Sequence, residues 1–326
     1  MTKKLPEKLD QRKLMDLNFM DIYVRLDADT TPHYRAGRGG TIDLPDADLP
    51  PEYLSAAEEL THYLRKNFNG VESAVDFGGM RLRATRLETA KGETWAALRR
   101  LPDKPMQLEK LGFIPQLPPI LQDFGRRSGL ILVCGSSGQG KTSTLSSLLS
   151  RYLEVYGGVG FTLEDPVEYA LEGRTGSNGY CYQTEIHQER EWGLMLKRAL
   201  RWHPRYIYVG EIRTADAANQ VLRAATSGHT VLATMHSGNM EEALEGLLQL
   251  AERDLGARAP LLLAAGLICV LYQTFSANGL YAQFAITEAD NPGSPIRAMI
   301  REHHIGQIRT ISDQQMAKLL KNGRPF

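Results

Sequence analysis

The chain predicts an α/β fold in two parts, a smaller N-terminal α/β domain and a larger doubly wound, mostly parallel sheet. Three observations carry this. From Ile120 onward short apolar runs alternate with stretches of helical spacing, the pattern of strand–helix–strand units. Five prolines, at 102, 105, 115, 118 and 119, precede that region, and proline restricts both its own φ and its predecessor. Ahead of them, alternating strands and one helix read as a separate small domain. The expected division is therefore 1–101 for the N-terminal domain, a semi-rigid linker over 102–119, and 120–326 for the sheet domain.

The elements follow in order. A charged start reads as helical over 11–20. Ile22, Val24 and Leu26 then alternate with Tyr23 and Arg25, the period of a half-buried strand. Residues 27–51, rich in Gly, Pro, Asp and Thr, read as loop or hairpin. Leu54, Ala57, Leu60 or Thr61, and Leu64 share one face of a helix over 52–68. Met80, Leu82 and Ala84 alternate with Arg81, Arg83 and Thr85, and 95–99 returns as an antiparallel partner after Lys91 and Gly92. Arg81 and Arg83 read either as a solvated strand face or as groups facing a nucleotide or a neighbouring subunit. In the larger domain, strands are expected at 130–134, 159–163, 206–209, 230–234, 269–275 and 280–287. Helices are expected at 143–154, 189–202, 214–226 and 240–255, then an apolar helix after Gly256 and two short helices to the end. Thr214 is placed to cap its helix and Gly228 to end it.

The chemistry centres on Gly135, Ser136, Ser137, Gly138, Gln139, Gly140, Lys141, Thr142 and the following Ser143. The run fits G-x-x-x-x-G-K-(S/T) at every fixed position. The apolar strand 130–134 leads into it. Leu145, Leu148, Leu149 and Tyr152 mark one face of the helix that follows. Strand, glycine loop and helix form a phosphate cradle: backbone N–H groups and a helix N-terminus converge on the anion. Lys141 would reach the β/γ-phosphates, and the Thr142 hydroxyl would ligate Mg²⁺.

Hydrolysis also needs carboxylates for water and metal, and donors for developing charge. Glu164 and Asp165 stand just past one buried strand. Glu211 ends the apolar run 206–209, as a metal-holding acid does. His229 and His236 bracket the strand 230–234. Taken singly each has a plain structural reading; a solvated loop acid or a strand-end histidine is common.

Together the four stretches resemble the Walker A, Asp box, Walker B and His box of the type II/type IV secretion and type IV pilus ATPase superfamily. The length and the lack of a tetracysteine zinc module look more like its PilT-like and DotB/TraJ-like traffic ATPases than its long type II secretion members. That resemblance implies a RecA-like P-loop ATPase domain preceded by a PAS-like domain, ATP and Mg²⁺ as cofactors, and a homo-hexamer. It implies Glu164 as the water-activating acid, Glu211 at Mg²⁺, and His236 near the γ-phosphate with support from His229. Arg81, Arg83 and Arg99 would help complete the nucleotide site. The expected partners are inner-membrane platform or secretion-channel proteins, placing the chain in the cytoplasm, peripheral to the inner membrane. Two departures stand out: Arg213 is followed by Thr214 where many members have Asp, and 295–300 matches the retraction motors' A-I-R-A-E-M only in part.

Bulk properties set the limits. Lys plus Arg and Asp plus Glu both number 38, so global charge gives no support to a helicase- or recombinase-like nucleic-acid motor. Cys134, Cys181 and Cys269 are too scattered for a zinc knuckle or disulfide framework. No apolar run is long enough to cross a bilayer, and no secretory signal is expected at the start. Intact Lys141, Thr142, Glu164 and Glu211 argue against an assembly protein that binds ATP with little turnover. A small-molecule kinase lacks its Arg-rich lid segment here.

Overall fold

The structure, a computed structural model, describes residues 13–36, 46–102, 104–276, 279–289 and 291–326. The chain forms two compact units: the described residues up to 102 together with Pro166–Ala170, and Lys104–Asp165 together with Leu171–Phe326.

The first unit holds β1 (Phe19–Arg25), β2 (His33–Ala36), β3 (Asp46–Asp48), α1 (Leu54–Asn67), β4 (Glu72–Phe77), β5 (Met80–Glu88) and β6 (Thr94–Arg100). The strands make one sheet in the order β3-β2-β1-β6-β5-β4, with every pairing antiparallel. Alternation sorts the side chains into two faces. Ile22, Val24, Leu82 and Leu98 join Ala57, Leu60 and Leu64 of α1 in one buried cluster. The opposite face carries Arg81, Arg83 and Arg99. The helix expected over 11–20 is not what forms: Leu14–Asp16 is a single 3-10 turn and β1 already begins at Phe19. Gln11, Arg12 and the centre of the 27–51 segment lie outside the described residues.

The second unit holds α2 (Leu117–Asp123), β7 (Gly129–Cys134), α3 (Lys141–Tyr156), β8 (Gly158–Glu164), β9 (Gly173–Thr175), β10 (Gly179–Glu185), α4 (Trp192–Leu200), β11 (Tyr206–Val209), α5 (Ala215–Ala225), β12 (Thr230–Met235), α6 (Met240–Leu255), α7 (Arg258–Gly266), β13 (Leu267–Ser276), β14 (Gly279–Ile286), α8 (Pro295–Arg301) and α9 (Ile308–Asn322). Its sheet has eight strands in the order β14-β13-β7-β12-β11-β8-β10-β9. The pairings from β13 through β10 are parallel. Only the flanking β14 and β9 run antiparallel. Strands buried on both faces read as continuous apolar runs, and β7, β11 and β12 are buried at every position.

One sheet face packs on α3, where the Tyr152 and Tyr206 rings meet at a 35° tilt with centroids 5.5 Å apart. The other buries Leu130, Leu132, Val209, Val231 and Ala233 against α4, α5, α6 and α7. The proline-rich stretch expected as a linker is largely packed instead. It carries a 3-10 turn over Leu108–Lys110 and the start of α2. Leu108, Phe113 and Leu117 are buried, and Ser147 of α3 donates to the Met106 carbonyl at 2.6 Å.

Candidate active site

Parallel strands deliver their C-terminal ends to one edge of the sheet, where ligands bind in open α/β folds. Four adjacent strands do so here. β7 runs into the glycine loop, β8 ends at Glu164, β11 leads to Glu211 and β12 to His236. Register fixes their heights: Val209 pairs with both Leu163 and Ala233, and Met235 with Cys134.

The loop turns on glycines at φ values that residues with a side chain rarely adopt. Gly135, Gly138 and Gly140 stand at φ 148°, 75° and 75°. Gly140 then starts α3 without any side-chain cap, leaving first-turn N–H groups of the helix directed at the cradle. Lys141 is only 7% exposed. Its ammonium donates to the Gly135 carbonyl at 2.9 Å and the Ser136 carbonyl at 2.8 Å. Thr142 and Ser143 sit half-buried in the first turn of α3.

The acid and the histidine are pinned between a strand end and a capped helix. After Glu211 and Arg213, the Thr214 hydroxyl accepts from Ala217 N and opens α5. After His236, the Asn239 side chain accepts from Glu242 N and opens α6. Glu242 answers by accepting from Gly238 N at 2.7 Å and from Asn239 Nδ2 at 2.9 Å, which ties the turn to the first helical residues. Ile212 N donates to the Thr234 carbonyl at 3.0 Å, tying the two segments together.

These constraints build a chain of polar contacts. Lys141 Nζ lies 3.4 Å from His236 Nδ1. His236 Nε2 lies 3.2 Å from Glu211 Oε1. Arg213 Nε donates to Glu211 Oε2 at 2.7 Å, and that bond holds the Arg213 pKa above its usual value. An ammonium has only donors, so Nδ1 accepts and the imidazole proton resides on Nε2, facing the carboxylate. Glu211 is thus fixed from both sides, with a side-chain exposure of 15%.

Glu164 lies on the next strand and is 2% exposed. Its Oε1 accepts from Thr162 Oγ1 at 2.6 Å and from Gln183 Nε2 at 2.9 Å. A Cβ on Gly210 would stand 3.3 Å from the Glu164 Cα, so the two strand ends meet closely. Neither Thr162 nor Gln183 was identifiable in the sequence. β10, which carries Gln183, follows a turn and lacks an apolar run.

His229 does not join the site. It precedes β12, so the six residues of that strand put it about 20 Å from His236, at the opposite sheet edge. There its Nδ1 donates to the Pro204 carbonyl at 2.6 Å, a structural bond. The supporting role expected for His229 is therefore corrected. Arg81, Arg83 and Arg99 share one face of the first unit. Arg83 sits directly opposite Arg99 in register, and like charges so placed repel. Asp76 pairs with Arg81 at 3.0 Å, Glu72 with Arg83 at 3.7 Å, and the buried Asp21 with Arg99 at 2.8 Å.

A family model described as type II/IV secretion system protein matches residues 71–283. The chain belongs to that family. A protein of Escherichia coli, named uncharacterized protein YggR, is 39% identical over 160 residues, 47% of this chain and 45% of that protein. A twitching motility protein of Neisseria gonorrhoeae is 28% identical over 260 residues, covering 74% of this chain and 67% of its own length. The chain thus spans less than half of the first of these relatives. Among solved structures, the pilus retraction motor PilT with bound ADP superposes with a TM-score of 0.70 at 25% identity, over 95% of this chain and 91% of that one. The α/β fold with a mixed, mostly parallel sheet is that of this family.

The residues present fit a nucleotide and its metal. The loop offers uncapped amides and a lysine suited to phosphate, and the Thr142 hydroxyl and Glu211 carboxylate are oxygens of the kind that would hold Mg²⁺. No cluster of three or more His, Cys, Asp or Glu side chains suited to a metal occurs among the described residues. A Mg²⁺ bound through phosphates, one carboxylate and waters needs none.

Proposed function

We propose that this chain is an ATPase motor subunit of a bacterial secretion, conjugation or type IV pilus machine. The observation that carries the reading is the linked set Lys141, His236, Glu211 and Arg213 beside the uncapped start of α3. Phosphate, metal acid and hydrogen-bond donor converge on one sheet edge.

In this reading Lys141 leaves its two loop carbonyls for the β/γ-phosphates, and the loop amides bind the same oxygens. Thr142 and Glu211 would hold Mg²⁺, which would supply positive charge against the charge developing on the phosphates. His236 would turn its Nε2–H from Glu211 toward the γ-phosphate once that carboxylate serves the metal. Glu164 orients the attacking water from a position fixed by Thr162 and Gln183. The larger unit is then a RecA-like domain and the smaller one PAS-like. The chain assembles as a homo-hexamer on inner-membrane platform or secretion-channel proteins, with Arg81, Arg83 and Arg99 completing a nucleotide site. No helix is long and apolar enough to cross a membrane among the described residues.

The test is phosphate release from ATP by the purified chain, together with sedimentation in a non-hydrolysable analogue. The reading expects Mg²⁺-dependent turnover without added DNA, and hexamers in the analogue. Absence of turnover in the ring form, or turnover only with single-stranded DNA, would contradict it.

A further inference from the structure

β13 lies beside β7 and carries an uncharged polar residue, Gln273, deep in the sheet at 1% exposure. Its side chain uses both ends. Nε2 donates to the Gln139 carbonyl at 2.6 Å, and Oε1 accepts from Thr144 Oγ1 at 2.8 Å. Gln139 in turn reaches back across the same gap: its Oε1 accepts from Thr274 Oγ1 at 3.1 Å and from Phe275 N. The backbone is close as well. A Cβ on Gly135 would stand 2.4 Å from the Gln273 carbonyl oxygen, and one on Gly140 would stand 3.2 Å from the Phe275 ring. The end of β13 therefore grips the glycine loop at its first residue, near its last and in the helix it opens.

A trans peptide is planar, with its C=O and N–H pointing opposite ways. Turning the Gln139 carbonyl toward β13 turns the Gly140 N–H away from it, toward the cradle. An oxyanion site works through donors set in advance of the charge they meet.

We propose that Gln273 is a positioning residue for the nucleotide phosphates: through Gln139 it sets the direction of loop N–H groups. The inference rests on the phosphate-loop reading above and adds a residue outside the motif, more than 130 positions along the chain.

The test compares Mg·ATP affinity, by isothermal titration, with the melting midpoint in the absence of nucleotide. Gln273→Met removes the donor at similar volume. Gln273→Glu removes it while keeping the acceptor for Thr144. Gln139→Ala, at a half-buried loop position, removes the reciprocal contacts and keeps the test open if the buried variants misfold. Thr230→Val is the structural control, since Thr230 Oγ1 donates to the Arg127 carbonyl at 2.6 Å at the far edge of the sheet. Each Gln273 variant is expected to bind Mg·ATP about tenfold more weakly, the effect of one hydrogen bond lost from a buried acceptor, and Gln139→Ala, whose carbonyl keeps that bond while both contacts of its Oε1 are lost, to weaken binding by a smaller factor. Thr230→Val is expected to lower the midpoint and leave affinity at the wild-type value. Wild-type affinity in Gln139→Ala and in whichever Gln273 variant folds overturns the proposal. Lys141→Met runs alongside: if it binds normally, the phosphate-loop reading itself fails; if it alone loses binding, only the role of Gln273 fails.

Discussion

Replacing Glu164 by Gln separates chemistry from binding at this site. The carboxylate is buried, and Oε1 already accepts from Thr162 Oγ1 and Gln183 Nε2. A glutamine amide oxygen can keep both bonds in the same volume. The change then costs the fold about 1 kcal/mol, the order of one altered hydrogen bond. What is lost is the oxygen proposed to orient and deprotonate water. General-base assistance is worth about 10²–10⁴-fold in rate, or about 2.7–5.4 kcal/mol of barrier at about 1.36 kcal/mol per decade. Because that interaction strengthens only on the way to the transition state, kcat should fall while ATP affinity holds. The assay is phosphate release at saturating Mg·ATP, with binding and melting measured on the same preparation. Turnover at the wild-type rate would refute the assignment. Asp165, which faces Arg213 at 3.9 Å, would then be the next residue to test.

Other expectations follow from the same geometry. Gly135→Ala places a Cβ at 2.4 Å from the Gln273 carbonyl at a φ of 148°. It should lower unfolding stability by about 1–3 kcal/mol, checked by the denaturant midpoint; an unchanged midpoint would show that loop and strand move apart freely. Burial pushes the Cys134 thiol up to about 12, and Cys181 and Cys269 shift upward for the same reason. An unfolded thiol ionises near about 8.5. The folded pKa is raised, so this contribution to stability is complete below that value and is lost as pH climbs toward about 12. Unfolding free energy should therefore fall between neutral pH and pH of about 10, and native protein should resist iodoacetamide at pH of about 8. Rapid labelling of Cys134 in folded protein would contradict its burial.

The sheet edge was legible because its signals are local. A glycine pattern, an apolar run ending in Glu211 and a strand ending in His236 each report a short stretch of chain. Strand β11 and helix α6 fall where periodicity puts them, and Thr214 caps α5 as its residue type suggests. What escaped is non-local. β4 buries only Val75, so it shows no alternation to read. β9 and β10 are held by pairing to β8 and to each other, not by their own apolarity. Two histidines flanking one strand look equivalent on paper, yet a parallel strand sends them to opposite edges. The prolines at 102–119 signal stiffness but not that Leu108, Phe113 and Leu117 find a core to enter. Gln273 reads as one polar residue at the end of an apolar run, and only the loop opposite gives it meaning.

The loop from Gly135 to Thr142 is proposed to hold the phosphates of ATP, with Lys141 as its cation. The direct measurement is equilibrium binding of a non-hydrolysable ATP analogue with Mg²⁺ to wild type and to Lys141→Met. A charge-assisted contact contributes about 1.5–3 kcal/mol, so affinity should fall about tenfold to a hundredfold. The melting midpoint without nucleotide should drop only modestly, from the two loop carbonyls that Lys141 caps. Equal affinity in a folded Lys141→Met variant would contradict the account.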